Sequence, residues 1–278
     1  MTRCPLRDGG TLAFEDRGDG HALLLIHGFT GSSRAWPPEV VDALARRFRV
    51  LVPDLIGHGE SDRHADPGRY ALGRVVSDLC ELQDACEIER AAWVGYSMGG
   101  RVALGGAVLR PERIRALVLE GSSPGLADPD ERTRRAHADD ALAGSIEKDG
   151  VDRFVESWTQ QPLFATQRRL DEGVRDRQRA LRLRNDPASL AACLRGLGTG
   201  VQPCLWGALG ALSMPVLLIA GQHDAKFLDI ARSMQREIPH AHLTPIEDAG
   251  HTTHLEQPGR YVASVLSFLD AAQEEDTT

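Results

Sequence analysis

Ser97 lies between two glycines in the stretch VGYSMGGRVA, residues 94–103. A short apolar run precedes this G-x-S-x-G pattern and a run of small residues follows it, as where a strand turns sharply into a helix. The glycines permit such a turn, which leaves the serine hydroxyl exposed above a sheet. The first residues of the helix favour negative charge nearby. We therefore predict that Ser97 acts as a nucleophile or as a base.

A reactive serine needs a base, and the base needs an orienting acid. Asp224 follows an apolar run in LLIAGQHDAKF, and His251 follows another in EDAGHTTHLEQP. Asp248, His223 and His254 have the same side-chain types and are alternatives. We favour Asp224 and His251 because each lies a few residues beyond a predicted buried strand, where the loops of a parallel sheet meet at one edge.

The chain also contains backbone donors for an oxyanion. In LLLIHGFTGSS, Phe29 comes soon after an apolar run, and Met98 directly follows the serine. The backbone N–H groups of Phe29 and Met98 are the predicted oxyanion hole. This loop, the serine turn, the acid and the histidine occur in the order typical of an α/β-hydrolase fold.

Apolar runs alternate with helix-period segments, which predicts a mostly parallel central sheet flanked by helices. The predicted strands are 22–26, 48–55, 91–94, 114–119, 216–220 and 241–246, with a hairpin around 11–15. The predicted helices are 36–47, 70–87, 98–109, 228–238 and 258–272. Residues 122–213 break the alternation and are rich in charge. We assign 1–121 and 214–278 to the core and 122–213 to an inserted helical lid.

Charge and composition exclude several classes of protein. The 278 residues carry a net charge of -8, which argues against nucleic acid or an anionic membrane as the main partner. No run of about 18 apolar residues occurs, so we predict a cytoplasmic protein that is not inserted in a membrane. The five cysteines are scattered, without the spacing of zinc ligands. We expect no metal, no organic cofactor, and a monomer or small homo-oligomer.

Arg101 follows the serine by four residues, so on a helix it lies on the same face about one turn further on. Burying an unpartnered guanidinium costs free energy, and Arg101 should therefore meet an anion. That anion is a substrate carboxylate or a structural one such as Glu120, unless the stem carries the charge outward to water. The lid holds further arginines suited to carboxylates, among which spacing does not choose: Arg132, Arg134, Arg135, Arg179, Arg182 and Arg184.

The longer motifs resemble those of one family. GYSMGGRVAL, LEGSSPGL, ERTRR, WTQQPLF, RLRNDPASLAACLRGLGTGVQP and GQHDAKF are similar to stretches of the 2-succinyl-6-hydroxy-2,4-cyclohexadiene-1-carboxylate synthases, which are α/β-hydrolase-fold enzymes. The resemblance implies the triad Ser97, Asp224 and His251. It also implies three arginines that bind substrate carboxylates and two aromatic pocket residues: Arg101, Arg135, Arg182, Tyr96 and Trp158.

The implied reaction is the loss of pyruvate from 2-succinyl-5-enolpyruvyl-6-hydroxy-3-cyclohexene-1-carboxylate by 2,5-elimination, a carbon–oxygen lyase step of menaquinone biosynthesis. Ser97 would remove the ring proton as a general base, and an oxyanion hole suits the resulting enolate. The partner would be a small polycarboxylate. Two alternatives are a serine hydrolase of esters or C–C bonds and a ligand receptor with a vestigial site. The receptor is disfavoured because binding alone does not need an activated serine.

Overall fold

The computed structural model describes residues 1–276, in which eight strands form a single sheet. The strands are Thr2–Pro5 (β1), Thr11–Arg17 (β2), Ala22–Ile26 (β3), Arg49–Pro53 (β4), Ala91–Tyr96 (β5), Ile114–Glu120 (β6), Val216–Gly221 (β7) and Ala241–Ile246 (β8). Their order is β1-β2-β4-β3-β5-β6-β7-β8. The pairs β1/β2 and β2/β4 are antiparallel, and all the others are parallel. The predicted mostly parallel sheet is confirmed.

The α-helices are Pro38–Ala45 (α1), Leu72–Ala85 (α2), Met98–Leu109 (α3), Pro129–Thr159 (α4), Glu172–Leu183 (α5), Pro187–Leu197 (α6), Ala225–Glu237 (α7), Thr253–Glu256 (α8) and Pro258–Asp276 (α9). Helix α7 begins three residues before the predicted start at Leu228. The reason is local: the Asp224 carboxylate accepts a hydrogen bond from the backbone N–H of Phe227 at 3.3 Å and caps the helix.

The sheet is covered on both faces, which explains why its central strands are continuous apolar runs. In β3, Leu24 and Ile26 belong to the cluster packed with α2, α3 and α7. Leu23 and Leu25 belong to the opposite cluster, with α1 and α9. The carboxyl ends of β3, β5, β6 and β7 therefore open at one edge of a rigid three-layer core, as predicted for an α/β-hydrolase fold.

Helices α4, α5 and α6 lie between β6 and β7 and form the inserted lid. Asp128 and Asp186 start α4 and α6, because their carboxylates accept backbone hydrogen bonds at 2.7 and 2.8 Å. Gly150, with φ of 83°, breaks the helical path of α4. The lid has its own apolar cluster, which includes Ala143, Ile146, Phe154, Val155, Leu190, Ala191 and Leu194. The chain boundaries of the lid at 122 and 213 stay a prediction.

Three polar side chains from α5 and its carboxyl end attach the lid to the core. Gln178 donates to the carbonyl of Ala35 at 3.0 Å, and Asn185 donates to the carbonyl of Thr30 at 2.9 Å. Arg184 forms an ion pair with a glutamate of the core, Glu60, at 2.7 Å. Within residues 1–276, no helix is long and apolar enough to cross a membrane.

Candidate active site

Ser97 occupies the sharp turn between β5 and α3, with a positive φ of 52°. Close backbone packing requires the two flanking glycines. A Cβ at Gly95 would lie 2.3 Å from the carbonyl oxygen of Gly99, and one at Gly99 would lie 2.2 Å from that of Ile26. The backbone N–H of Ser97 donates to the carbonyl of Glu120 at 2.8 Å, which anchors this strained turn to β6.

The structure brings the predicted serine, histidine and aspartate together. The Oγ atom of Ser97 lies 3.2 Å from Nε2 of His251, and Nδ1 of His251 lies 2.7 Å from Oδ2 of Asp224. The imidazole and the carboxylate are 2% and 8% exposed. When Nδ1 donates to the carboxylate, Nε2 is free to accept the serine proton, so the arrangement can carry out base catalysis.

The alternative residues do not reach the serine. His223 and Asp248 are exposed, and His254 bonds to Glu120 through Nδ1 at 2.7 Å. Arg101 likewise does not meet Glu120, which removes one explanation for the arginine. The sequence signal for a different role of Glu120 is its place at the end of an apolar strand, where a carboxylate is unusual.

Glu120 joins the serine turn to the segment after His251. It pairs in register with Tyr96, the residue before the serine. Its buried carboxylate accepts hydrogen bonds from Oγ1 of Thr253 at 2.7 Å and from the backbone N–H of His254 at 3.1 Å, in addition to the imidazole of His254. These bonds hold α8 against the end of β6, and with it the loop that carries His251.

The loop at His251 is also held from its other side. The carboxylate of Glu256 accepts hydrogen bonds from the backbone N–H groups of Gly250 at 2.8 Å and Thr252 at 3.2 Å. The hydroxyl groups of Thr252 and Tyr96 are 2.8 Å apart. The loop therefore has little freedom to move the imidazole away from the serine.

The two residues predicted to form the oxyanion hole both line the cavity that holds Ser97. Phe29 belongs to the loop after β3, and Met98 is the first residue of α3. Neither N–H donates to an acceptor within the described chain. Both residues line the same cavity as Ser97, so their donors are available to an oxyanion formed there.

A cavity of about 780 Å³ lies between the core and the lid, and Ser97 and His251 are on its wall. Its charged side chains, apart from the histidine, are Arg101, Glu131, Arg135, Asp139 and Lys226. Neither Glu131 nor Lys226 is among the site residues predicted from the sequence. Among residues 1–276, no group of three or more His, Cys, Asp and Glu side chains is arranged to hold a metal ion.

Arg101 is half-buried at the lid side of this cavity. Its Nη1 donates to the carbonyl oxygen of Leu197 and to Oε1 of Gln202, both at 2.7 Å. Its other guanidinium nitrogens have no acceptor in the part of the chain described, and no carboxylate there forms an ion pair with it. Burial lowers the pKa of Arg101 to about 10, so it remains a cation at neutral pH. A poorly solvated cation of this kind attracts a carboxylate.

The two lid arginines singled out by the resemblance differ in their surroundings. Arg135 lines the main cavity and pairs with Asp139 at 2.8 Å. Arg182 instead lines a small adjoining cavity of about 40 Å³, with its guanidinium 5.5 Å from the ring centre of Phe164. Burial lowers the pKa of Arg182. Phe164 lines both cavities, whereas Arg182 lines only the smaller one.

Aromatic rings form the wall opposite the sheet. Trp158, near the end of α4, packs against Phe29, Phe154 and Phe164 with ring centres 5.5, 5.4 and 5.9 Å apart. Tyr96 lines the same cavity, and burial raises its pKa, so its hydroxyl stays neutral. The cavity therefore combines an apolar surface, which can hold a ring, with cations, which can bind anionic substituents of that ring.

The fold and much of the sequence are shared with known proteins. The family model for the alpha/beta hydrolase fold matches residues 21–258. A Bacillus subtilis protein provisionally named 2-succinyl-6-hydroxy-2,4-cyclohexadiene-1-carboxylate synthase is 41% identical over 94% of this chain and 96% of its own length. An Enterobacter protein with that synthase name is 34% identical over 89% and 91%. The structure of MenH from S. aureus is similar with a TM-score of 0.89 and 32% identity, over 94% of this chain and 98% of MenH.

Proposed function

We propose that this chain, which belongs to the alpha/beta hydrolase fold family and, within it, to the 2-succinyl-6-hydroxy-2,4-cyclohexadiene-1-carboxylate synthases, eliminates pyruvate from its substrate. The substrate is 2-succinyl-5-enolpyruvyl-6-hydroxy-3-cyclohexene-1-carboxylate, and the chain is a carbon–oxygen lyase of menaquinone biosynthesis. One observation at the site itself supports this proposal. Ser97, in hydrogen-bond contact with His251, shares its cavity with Arg101, a cation that forms no ion pair within residues 1–276.

The first step removes the ring proton next to the succinyl ketone. His251, oriented by Asp224, accepts the hydroxyl proton of Ser97, and the serine oxygen takes the proton from C2 of the ring. The electron pair of the C2–H bond delocalises onto the ketone oxygen as an enolate. The backbone N–H groups of Phe29 and Met98 stabilise this oxygen.

The second step expels the leaving group. The enolate electrons form the C2=C3 bond, the C3=C4 pair shifts to C4=C5, and the C5–O bond to the enolpyruvyl group breaks. The leaving enolate takes up a proton and becomes pyruvate. The ring product holds two double bonds, and no acyl-enzyme forms on Ser97.

Two arginines of the cavity offer contacts for carboxylates of the substrate. Arg101 binds one of them through the nitrogens that face the cavity, and Arg135 offers a second contact beside its bond to Asp139. Trp158 and Tyr96 contact the ring and keep water from the enolate. Arg182 contributes a further contact to the substrate when the side chain of Phe164 moves.

A coupled pyruvate assay with enzymatically generated substrate tests the function. The wild-type protein should release pyruvate, Ser97→Ala should abolish release, and Asp224→Asn should lower kcat by about 10³-fold or more, because the imidazole loses its orienting acid. Ser145→Ala is the matched control, since Ser145 is exposed on α4 and bonds only to its own helix.

The same samples distinguish the lyase from a serine hydrolase. Intact-mass spectrometry during turnover should find no covalent adduct on Ser97. Rapid hydrolysis of neutral p-nitrophenyl esters through an acyl-enzyme, with no pyruvate released from the cyclohexene, would replace the lyase by a hydrolase.

A further inference from the structure

Lysine is rare in this chain. Of the 32 Lys and Arg residues, only Lys148 and Lys226 are lysines, and arginine occupies every other cationic position. Both lysines are exposed, but Lys148 lies on α4 of the lid and does not line the main cavity. Lys226 does line it, together with Ser97 and His251. The cavity therefore contains a lysine, although nearly all the Lys and Arg positions of the chain are arginine.

Lys226 has no ion-pair partner within residues 1–276. It is the second residue of α7, where the helix dipole disfavours a positive charge. No carboxylate within residues 1–276 forms an ion pair with it, although Asp224 is two positions earlier, because that carboxylate is engaged by His251 and Phe227. The Lys226 ammonium lies 5.8 Å from the ring centre of Phe227, a contact that leaves its hydrogen-bond donors unused.

Lys226 and Arg101 approach the cavity from different strands. Arg101 is on α3, which follows β5, and Lys226 is on α7, which follows β7, with β6 between them. Strands two positions apart in a sheet are separated by about 10 Å. The two helices therefore start about 10 Å apart, and both cations line the cavity that holds Ser97. The Phe227 ring, 4.6 Å from that of His251, places Lys226 on the histidine side.

We infer that Lys226 binds a carboxylate of the substrate on the histidine side of the cavity, while Arg101 binds another on the lid side. This inference rests on the proposed function, whose substrate carries three carboxylates. A lysine ammonium is a compact charge with three donors, and it binds a carboxylate without the planar fork that arginine requires. The pair of cations selects anions with carboxylates at both ends over monocarboxylate esters of similar size.

Kinetics of three variants test the assignment. Lys226→Gln should raise KM for the cyclohexene substrate about tenfold or more, the effect of losing one charge-assisted hydrogen bond, with a smaller change in kcat. Lys226→Arg keeps the charge and should fall between the wild type and the glutamine variant. Lys148→Gln should match the wild type. Equal KM values for Lys226→Gln and Lys148→Gln would overturn the inference.

Amine labelling tests the same site without turnover. Acetic anhydride should acetylate both lysines, and peptide mass spectrometry distinguishes them. Cyclohexane-1,2,4-tricarboxylate, which cannot undergo the elimination, should slow acetylation of Lys226 and leave Lys148 unaffected. Protection of Lys226 without pyruvate release by the wild type would retain the anion site and reject the lyase. Pyruvate release with an unprotected Lys226 would retain the lyase and reject the site.

Discussion

Replacing Arg101 by alanine should remove the strongest anion contact of the cavity. The guanidinium is fixed by two hydrogen bonds from Nη1, at 2.7 Å each, to Leu197 and Gln202. Its Nε and Nη2 atoms have no acceptor within residues 1–276 and are free to bind a carboxylate through two donors. Because two bonds from Nη1 already orient the group, little side-chain entropy is lost when the substrate binds.

The expected loss follows from the strength of such a contact. A hydrogen bond to a charged group contributes about 1.5–3 kcal/mol, and a two-donor pair in a poorly solvated site lies at the upper end of this range or above. A loss of about 3 kcal/mol corresponds to a fall of roughly 100-fold or more in kcat/KM. The variant also leaves the Leu197 carbonyl and the Gln202 amide without their donor, which perturbs the end of α6.

Gln202→Leu separates these two effects. This variant removes one anchoring bond, worth about 1 kcal/mol, but keeps the cation, so kcat/KM should fall about fivefold. Steady-state pyruvate release gives kcat/KM for each protein, and urea unfolding reports any loss of stability. The reasoning fails if Arg101→Ala stays within a few-fold of the wild type, or if Gln202→Leu is as impaired as Arg101→Ala.

The remaining predictions concern the buried polar groups that support the site. Burial lowers the pKa of His27 to about 4 and that of His58 to about 3, so the unfolded chain binds their protons first as pH falls below 6.5. Stability should therefore fall by about 4 kcal/mol between pH 7.5 and 5, and urea unfolding of His58→Gln should recover about half of that loss. An unchanged pH slope in the variant would contradict this assignment. Glu120→Gln should lower the free energy of unfolding by about 2 kcal/mol and lower kcat more than KM, because the bonds that hold the His251 loop weaken. Unfolding and pyruvate release in Glu120→Gln that match the wild type would show that the loop is held by other contacts.

The fold could be predicted from the sequence because its signals are local. An apolar run such as 22–26 specifies a strand buried on both faces. The two glycines around Ser97 specify a turn too tight for larger residues, and the order of serine, acid and histidine along the chain specifies the topology. The apolar run and the glycines depend only on sequence neighbours, and the order of the three residues is read directly along the chain, so none of these features requires knowledge of the packing.

The site could not be completed in the same way, because its contacts join residues far apart in the chain. Two histidines, His251 and His254, lie three positions apart, and only packing directs one to Ser97 and the other to Glu120. Packing also places Arg182 in the smaller cavity and brings Lys226 to the wall of the main one. The sequence alone determined the fold and the residue types available for chemistry. The tertiary structure decided which charges face the cavity, since that depends on how lid and core pack against each other.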